Sequence, residues 1–137
     1  MHYLYKLFCT FANEKVLSNM AEHNDLGKLG EEIAVQYLLD KGYKILERNW
    51  YNIHKEVDII AKDGQDLVIV EVKTRQNNEF GDPDIAVTKR KQRMLIAAAN
   101  AYIFKNRLDY NTRFDIISIV LNGDNPEIDH IEDAFLP

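Results

Sequence analysis

The stretch DLVIVEVKTR, residues 66–75, places four aliphatic residues directly before a series in which charged and apolar residues alternate. A run of this length and composition predicts a β-strand. Because successive side chains of a strand point to opposite faces, Glu71, Lys73 and Arg75 share one face of it. Charges on a strand that otherwise builds a core indicate either a functional site or a solvated face.

A second acid comes from the segment EVDIIAK just upstream, which is also predicted to be a strand. The Asp-Gly dipeptide at 63–64 is a strong turn signal and predicts an antiparallel hairpin. With a two-residue loop at 63–64, Asp58 pairs opposite Ile69; with a four-residue loop at 63–66, it pairs opposite Glu71. Opposed residues lie on the same side, so both registers put Asp58 and Glu71 on one face.

The other elements complete one α/β (α+β) domain. Apolar residues recur at helical spacing from Leu26 to Tyr37, which predicts a first helix over residues 24–41. A second helix, rich in alanine, is predicted from Thr88 to Asn106. Strands are predicted for YKILERNW before the hairpin, for RFDIISIVL after the second helix and, as a short last strand, for EIDHIEDAF. The order αβββαβ, with one more strand, predicts a mixed central sheet flanked by helices.

The composition is that of a globular protein. The chain has 137 residues, 46% of them apolar and 28% charged, which is typical of one domain with its own core. No stretch approaches the ~18 consecutive apolar residues of a membrane helix, and the single Cys9 is typical of a reducing cytoplasm. We expect residues 1–19 to be an N-terminal extension outside the fold, Met20 to be the natural start, and residues 20–137 to form a single domain.

The charge distribution favours a local affinity for nucleic acid over a general one. The net charge of −5 argues against indiscriminate binding, since lysine and arginine make the phosphate contacts. From Lys73 to Arg93, however, six basic residues stand against three acidic ones. An acidic protein can therefore still present one basic face.

The acid pair in the hairpin predicts a bound cation. Two carboxylates in apolar surroundings repel each other and lose hydration, so a positive group is expected between them. Mg²⁺ typically takes one or two carboxylates, keeps several waters and binds substrate phosphates. Lys73 could then orient an attacking water or stabilise charge on phosphate. The alternative is a solvated face, on which Glu56 and Lys73 form an exposed pair that contributes little.

The first helix offers a third acid. Helical spacing places Glu31 at the start of a buried stripe, whereas Glu32 faces water. Gly27 and Gly30 lower the helix propensity of the same turns, which suggests the close approach of a backbone or a ligand. The alternative is that Glu31 only favours the helix N-terminus electrostatically.

The second helix begins with four cations. Lys91 lies at the leading end of its sheet-facing stripe, and Lys89, Arg90 and Arg93 spread over the rest of that end. A helix N-terminus with exposed amide groups and several cations favours binding of a phosphate backbone. The alternative is a solvated basic helix start.

Together, the segments GKLGEE, EVDII and VIVEVKTR resemble the PD-(D/E)XK nuclease superfamily. More closely, the chain is similar to the YraN-like family, whose members carry a G-x-x-G-E helix, an E-x-D strand, an E-V-K/R-x-R strand, a VT…KQ helix start and an RFD strand. Val57 stands where the superfamily name has proline. The matching residues span about residue 24 to Phe135 and are Gly27, Gly30, Glu31, Glu56, Asp58, Glu71, Lys73, Arg75, Val87, Thr88, Lys91, Gln92, Arg113, Phe114 and Asp115.

The resemblance implies a restriction-endonuclease-like core and metal-dependent hydrolysis of nucleic acid, with structured or branched DNA as the substrate and Mg²⁺ or Mn²⁺ as the cofactor. It implies Asp58 and Glu71 as metal ligands and Lys73 as the catalytic lysine. Glu31 matches a further acid that reaches the metal directly or through water. The residues predicted to contact nucleic acid are Arg75, Lys89, Arg90, Lys91 and Arg93.

Two other functions remain open from the sequence: a nucleic-acid-binding module without cleavage, and a protein-interaction domain on the same scaffold. A homodimer would suit cleavage of a symmetric substrate. The sequence contains no P-loop, no nucleophile elbow and no Cys/His pair, so other enzyme classes find little support.

Overall fold

The computed structural model describes residues 23–76 and 86–137; the predicted extension at residues 1–19 lies outside them. The elements, in chain order, are α1 (His23–Asp40), β1 (Lys44–Asn52), β2 (Lys55–Asp63), β3 (Asp66–Gln76), α2 (Lys89–Asn106), β4 (Asn111–Asn122) and β5 (Asn125–Ile131). The predicted order αβββαβ with one more strand is confirmed. Neither of these two helices is long and apolar enough to cross a membrane.

The strands form one five-stranded mixed sheet in the order β1-β2-β3-β4-β5. β3 and β4 are parallel, and the other neighbouring pairs are antiparallel. Parallel neighbours need a crossover connection, and α2 lies in it. The prediction of a mixed α+β domain is therefore confirmed.

The sheet buries aliphatic side chains on both faces. α1 covers the face that carries Val68 and Val70, and α2 covers the face that carries Leu67 and Ile69. All four side chains are almost completely buried, and full burial of one such side chain stabilises the fold by about 1.5–3 kcal/mol. The alternation predicted for β3 thus places one face under each helix.

The β2–β3 hairpin has a two-residue turn that lies one residue later than the shorter predicted loop and at the centre of the longer one. Gly64 and Gln65 form the turn, with Gly64 at φ 58°, and Asp63 pairs with Asp66 inside the ladder. The predicted loop beginning at Asp63 is therefore wrong. Arg113 Nη1 donates a hydrogen bond to Asp63 Oδ2 at 3.0 Å, which holds Asp63 in the ladder.

The register of this hairpin decides where the acids lie. β2 and β3 pair without a shift as far as Ile59 opposite Val70. Continued by one residue, the register puts Asp58 level with Glu71. This is the alignment predicted for the longer of the two loops.

A polar network ties the α1 face of the sheet together where β3 and β4 begin. Arg113 Nε and Nη2 each lie 3.0 Å from an Asp115 oxygen, and Nη2 donates to the Tyr43 hydroxyl at 2.6 Å. His130 Nε2 lies 2.7 Å from Asp115 Oδ2. Burial alone would raise the pKa of Asp115, but its hydrogen bonds with His130 and Arg113 lower it. The RFD segment thus connects β4 with β5 and with the segment after α1.

The first turns of α1 approach β3 closely at one of the two glycines. An alanine Cβ at Gly30 would lie 1.7 Å from Thr74 Oγ1 and 2.7 Å from Thr74 Cβ. At Gly27, no atom of the described residues lies within 4 Å of such a Cβ. A close approach is thus found at Gly30, but the neighbour is the Thr74 side chain of β3 and not the predicted backbone or ligand.

We expect Gly30→Ala to lower the free energy of unfolding by about 1–3 kcal/mol, because Thr74 and the backbone near it must shift to admit the methyl group. The matched change Gly27→Ala is expected to raise the same free energy by about 0.5–1 kcal/mol, since alanine favours the helix. Chemical denaturation of both variants checks this pair. Equal effects of the two substitutions would contradict the packing of α1 on Thr74.

Candidate metal centre

Regular strand pairing is interrupted around Asp58. Beyond the pair Ile59–Val70, Asp58 Oδ2 accepts a hydrogen bond from Val72 N at 2.8 Å, so a carboxylate stands where a backbone carbonyl would continue the ladder. On the β1 side, Asn49 is level with Asp58 and has a left-handed backbone with φ 48°. Asparagine is one of the few residues enriched in that conformation. The interruption turns the Asp58 carboxyl group toward β3.

Glu71 brings a second carboxyl group to Asp58. Lys91 Nζ of α2 lies 3.4 Å from Glu71 Oε1. Glu71 Oε2 is buried and receives no hydrogen bond from the described residues. The charge of Asp58 raises the pKa of Glu71, so the two acids lie near each other. Because ionised carboxylates repel each other, a proton or a cation between them would be favourable.

Burial raises the pKa of both acids. The pKa of Glu71 rises to about 7, first through burial and then through the charge of Asp58, against the opposing charges of Lys91 and Lys73. The pKa of Asp58 is also raised, mainly by burial, against the hydrogen bond from Val72 N. Near neutral pH the pair thus retains a proton that a cation could replace.

We expect the metal-free protein to lose stability as the pH rises from about 4.5 to about 7. In this window the unfolded chain has already released the Glu71 proton while the folded chain keeps it, so raising the pH favours unfolding. The loss is on the order of 3 kcal/mol at most, at 1.36 kcal/mol for each pKa unit. Urea denaturation across this pH range, with a chelator present, measures it. In Glu71→Gln the decline should be much smaller, and an equal decline in that variant would contradict the assignment.

The acid pair fits a hard divalent cation. Two carboxylates with water in the other positions match the preference of Mg²⁺, and Glu71 Oε2 is an acceptor without a protein donor in the described ranges. Residues 23–76 and 86–137 contain no group of three or more His, Cys, Asp or Glu side chains that could hold a metal. The protein ligands in this part of the chain would therefore be Asp58 and Glu71.

Glu31 lies at the edge of the pair. Its pKa is raised by burial and then by the charge of Asp58, and a hydrogen bond with Asn49 opposes this. Glu31 is thus close enough to sense Asp58 without forming a three-carboxylate cluster with it.

Two lysines flank the acids from different elements. Lys73 Nζ of β3 donates to the Ala86 carbonyl just before α2, and its charge acts on Glu71. Lys91 of α2, predicted to contact phosphate, is found on Glu71. The structure therefore brings Asp58, Glu71, Lys73 and Lys91 together.

The other cations predicted to bind nucleic acid surround the start of α2. Thr88 caps this helix, and its Oγ1 accepts a hydrogen bond from Lys91 N at 3.2 Å. Lys89, Arg90 and Arg93 are exposed there. Arg75 is half-buried near the end of β3, beside β4. Lys91 of this first turn reaches Glu71, whereas Lys89 and Arg93 point to the opposite side of the helix.

The part of the chain that contains these residues matches a known protein family. Residues 30–119 match the model of the uncharacterised protein family UPF0102. The chain belongs to the UPF0102 family. The matched range contains both acids of the pair, Glu31 and the two lysines.

Whole UPF0102 proteins align with the chain. It is 51% identical over 118 residues to a UPF0102 protein of Phocaeicola vulgatus, covering 86% of this chain and 98% of the relative. A Flavobacterium johnsoniae relative is 50% identical over 120 residues, with 85% and 98% covered. A Geobacter metallireducens relative is 49% identical over 118 residues, with 85% and 97% covered. The similarity thus extends over nearly the full length of each relative.

Two features of this UPF0102 site were missed from the sequence. Asn49, the left-handed residue level with Asp58, was not predicted to be part of the site. The available signals were that asparagine tolerates a left-handed backbone and that Asn49 precedes two aromatic residues at the end of a strand. Lys91 was placed at the sheet-facing end of α2, but its pairing with Glu71 depends on how α2 crosses the sheet. Neither role follows from strand alternation.

Proposed function

We propose that this UPF0102 protein is a metal-dependent endonuclease that hydrolyses phosphodiester bonds in nucleic acid, with structured or branched DNA as the expected substrate. The observation that carries the proposal is the proximity of two part-buried acids: the charge of Asp58 raises the pKa of Glu71, and Glu71 Oε2 lacks a donor among the described residues. Lys91 compensates one of the two charges, and the second is costly to maintain without a further counter-charge. A bound divalent cation removes that cost.

We further propose that the mixed sheet is the restriction-endonuclease-like core of the PD-(D/E)XK superfamily. The αβββαβ order supports this, as does the position of the two acids on neighbouring strands. The third strand also carries the lysine, two residues after its acid. The five motifs of the YraN-like pattern occur in the same order along the chain.

In this proposal Asp58 and Glu71 would hold Mg²⁺ or Mn²⁺, and the bound ion would supply Lewis-acid stabilisation of a phosphate and a more acidic water. Lys73 stabilises negative charge that develops on the phosphate; its ammonium group is held beside the acids by the Ala86 carbonyl. Glu31 and Asn49 orient water at the edge of the pair. Lys91 neutralises Glu71 when no divalent ion is present.

The exposed cations at the start of α2 are proposed to contact the nucleic-acid backbone and not base edges. We expect the double variant Lys89→Ala with Arg90→Ala to flatten the dependence of log Kd on log salt by about two units, close to one for each lost phosphate contact. Fluorescence anisotropy at a series of salt concentrations measures the slope. As a control, Lys105→Ala changes an exposed cation at the other end of α2 and should leave the slope unchanged. An unchanged slope in the double variant would contradict the interface.

A panel of linear and branched DNAs and RNAs, incubated with Mg²⁺ or Mn²⁺, tests the proposed activity. The wild type is compared with Asp58→Ala, which removes one ligand. Cleavage by the wild type alone supports the proposal, and cleavage by both proteins attributes the activity to something other than this site. Salt-sensitive binding without cleavage would indicate a binding module. Neither binding nor cleavage would indicate a protein-interaction domain.

The Lys91–Glu71 ion pair is the observation that favours the second candidate function, a nucleic-acid-binding module without cleavage. The ammonium group already neutralises one acid without any metal. A protein that had lost cleavage could keep the pair in this form and still present the cations of α2. Metal binding distinguishes the two functions, since only the nuclease requires it.

A further inference from the structure

The turn between β1 and β2 has an unusual sequence for its backbone. Ile53 and His54 form the tip, with φ values of 42° and 60°. Two successive left-handed residues define the tight hairpin turn that strongly prefers Asn-Gly or Gly-Gly. A β-branched residue with positive φ is a genuine outlier. The fold therefore tolerates an unfavourable side chain where glycine or asparagine would suit the backbone.

The same tip presents apolar surface to solvent. Ile53 is 74% exposed and Tyr51 is 63% exposed. The Tyr51 hydroxyl accepts a hydrogen bond from His54 N at 3.2 Å, which fixes the phenol against the turn. Ile53 thus gains little from burial within the described residues to offset its strained backbone, and a role outside the fold would account for both features.

The tip lies at the end of the sheet toward which β3 runs from the acid pair. β2 runs from the tip to Asp58, four residues beyond His54, a distance of about 13 Å at the rise of a strand. β3 runs antiparallel to β2, so Lys73 and Arg75 follow Glu71 toward the same end. In this register Lys73 and Arg75 lie along β3 between the level of the acid pair and that of the apolar tip.

We propose that the β1–β2 tip is a base-contacting wedge, in which Ile53 packs against an unstacked nucleobase and Tyr51 supports it. This inference rests on the proposed function, because it takes nucleic acid as the partner. Apolar side chains inserted at base steps are a common way to engage bent or interrupted duplexes, and aromatic rings stack on bases of any sequence. With phosphate contacts supplied by the α2 cations, an apolar tip suits bases better than backbone.

The position of the tip fixes where the contact would fall. At a spacing of about 3.4 Å per nucleotide in one strand, 13 Å corresponds to about four nucleotides from the phosphate at Asp58. A nucleotide with an exposed base face at that distance, such as one beside a nick or a branch, would be preferred over a continuous stack.

Two variants separate the wedge from the turn. Ile53→Asn removes the apolar side chain and introduces a residue that the turn favours, so its Tm should rise by roughly 2–8 °C. His54→Gly favours the same turn but keeps Ile53, so it should also raise Tm. Both proteins are therefore expected to fold, and only the first should lose the base contact.

Binding is measured in a chelator, with oligonucleotides that carry 2-aminopurine either at an unpaired position or inside a continuous duplex. Ile53→Asn should weaken binding to the unpaired probe about tenfold and abolish its fluorescence change, whereas binding to the continuous duplex and all binding by His54→Gly should match the wild type. Equal affinities of wild type and Ile53→Asn for the unpaired probe, or failure of the wild type to bind either probe, would overturn the wedge. If the wild type is a dimer and Ile53→Asn is a monomer, the tip is a subunit contact, and the wedge is overturned as well. This binding assay does not depend on cleavage. If separate cleavage assays show no activity, the nuclease proposal fails while the wedge can still be supported.

Discussion

Glu71→Gln is expected to reduce metal-dependent cleavage by about a thousandfold or more while nucleic-acid affinity stays equal or becomes slightly tighter. Glutamine keeps the shape of the side chain but removes the charge that binds the cation, and a metal contributes several kcal/mol to transition-state stabilisation. The same substitution removes a negative charge that repels phosphate when no metal is present. Single-turnover cleavage and anisotropy binding, measured on the same preparation, check the two parts.

Neighbouring variants make this result specific. Asp58→Asn should behave like Glu71→Gln, because both carboxylates would hold the same ion in the proposed site. Lys73→Met should slow cleavage without lowering the affinity for the metal ion, since the substitution removes a positive charge near the site. Glu56→Gln is the matched control, an exposed acid two residues from Asp58 that should cleave nearly like the wild type. If Glu71→Gln cleaves at the wild-type rate, the charged residues of the strands form only a solvated face and not a nuclease site.

Arg113→Met is expected to lower the free energy of unfolding by about 3–5 kcal/mol. Its guanidinium group contacts Asp115, which is 1% exposed, and it also holds Asp63 and Tyr43. Methionine can fill much of the volume but leaves a buried carboxylate with one partner fewer, the situation in which breaking a buried ion pair is most costly.

Urea denaturation of Arg113→Met against the wild type measures this loss. Arg93→Met, a change to an exposed arginine on α2, is the control and should alter stability by less than about 0.5 kcal/mol. A loss below 1 kcal/mol in Arg113→Met would mean that the network around Asp115 does not hold the strands together.

Much of the fold follows from local sequence patterns. The β3 strand and α2 were predicted to within a residue or two of their ends, because β3 combines an aliphatic run with strict alternation and α2 combines a Thr88 cap with alanine-rich periodicity. The sequence left two hairpin loops open, and it did not show that Asp63 pairs inside the ladder, because that pairing is supported by a distant contact. Arg113, 50 residues along the chain, holds Asp63 in the ladder.

The candidate site could be predicted in part for the same reason. Strand alternation was enough to bring Asp58 and Glu71 together, since both residues lie on neighbouring strands of one hairpin. Asn49 and Lys91 join them through the interruption of β1 and the crossing of α2 over the sheet. Those features depend on packing between elements, which a periodic pattern does not encode.

Calorimetric titration of Mn²⁺ into the wild type, Asp58→Asn and Glu56→Gln, above the pKa of Glu71, tests the metal centre most directly. The proposed centre predicts that the wild type and Glu56→Gln each bind one Mn²⁺ per chain. In Asp58→Asn the heat of Mn²⁺ binding should be lost. Equal binding by the wild type and Asp58→Asn, or no binding by the wild type, would contradict a metal centre at Asp58 and Glu71.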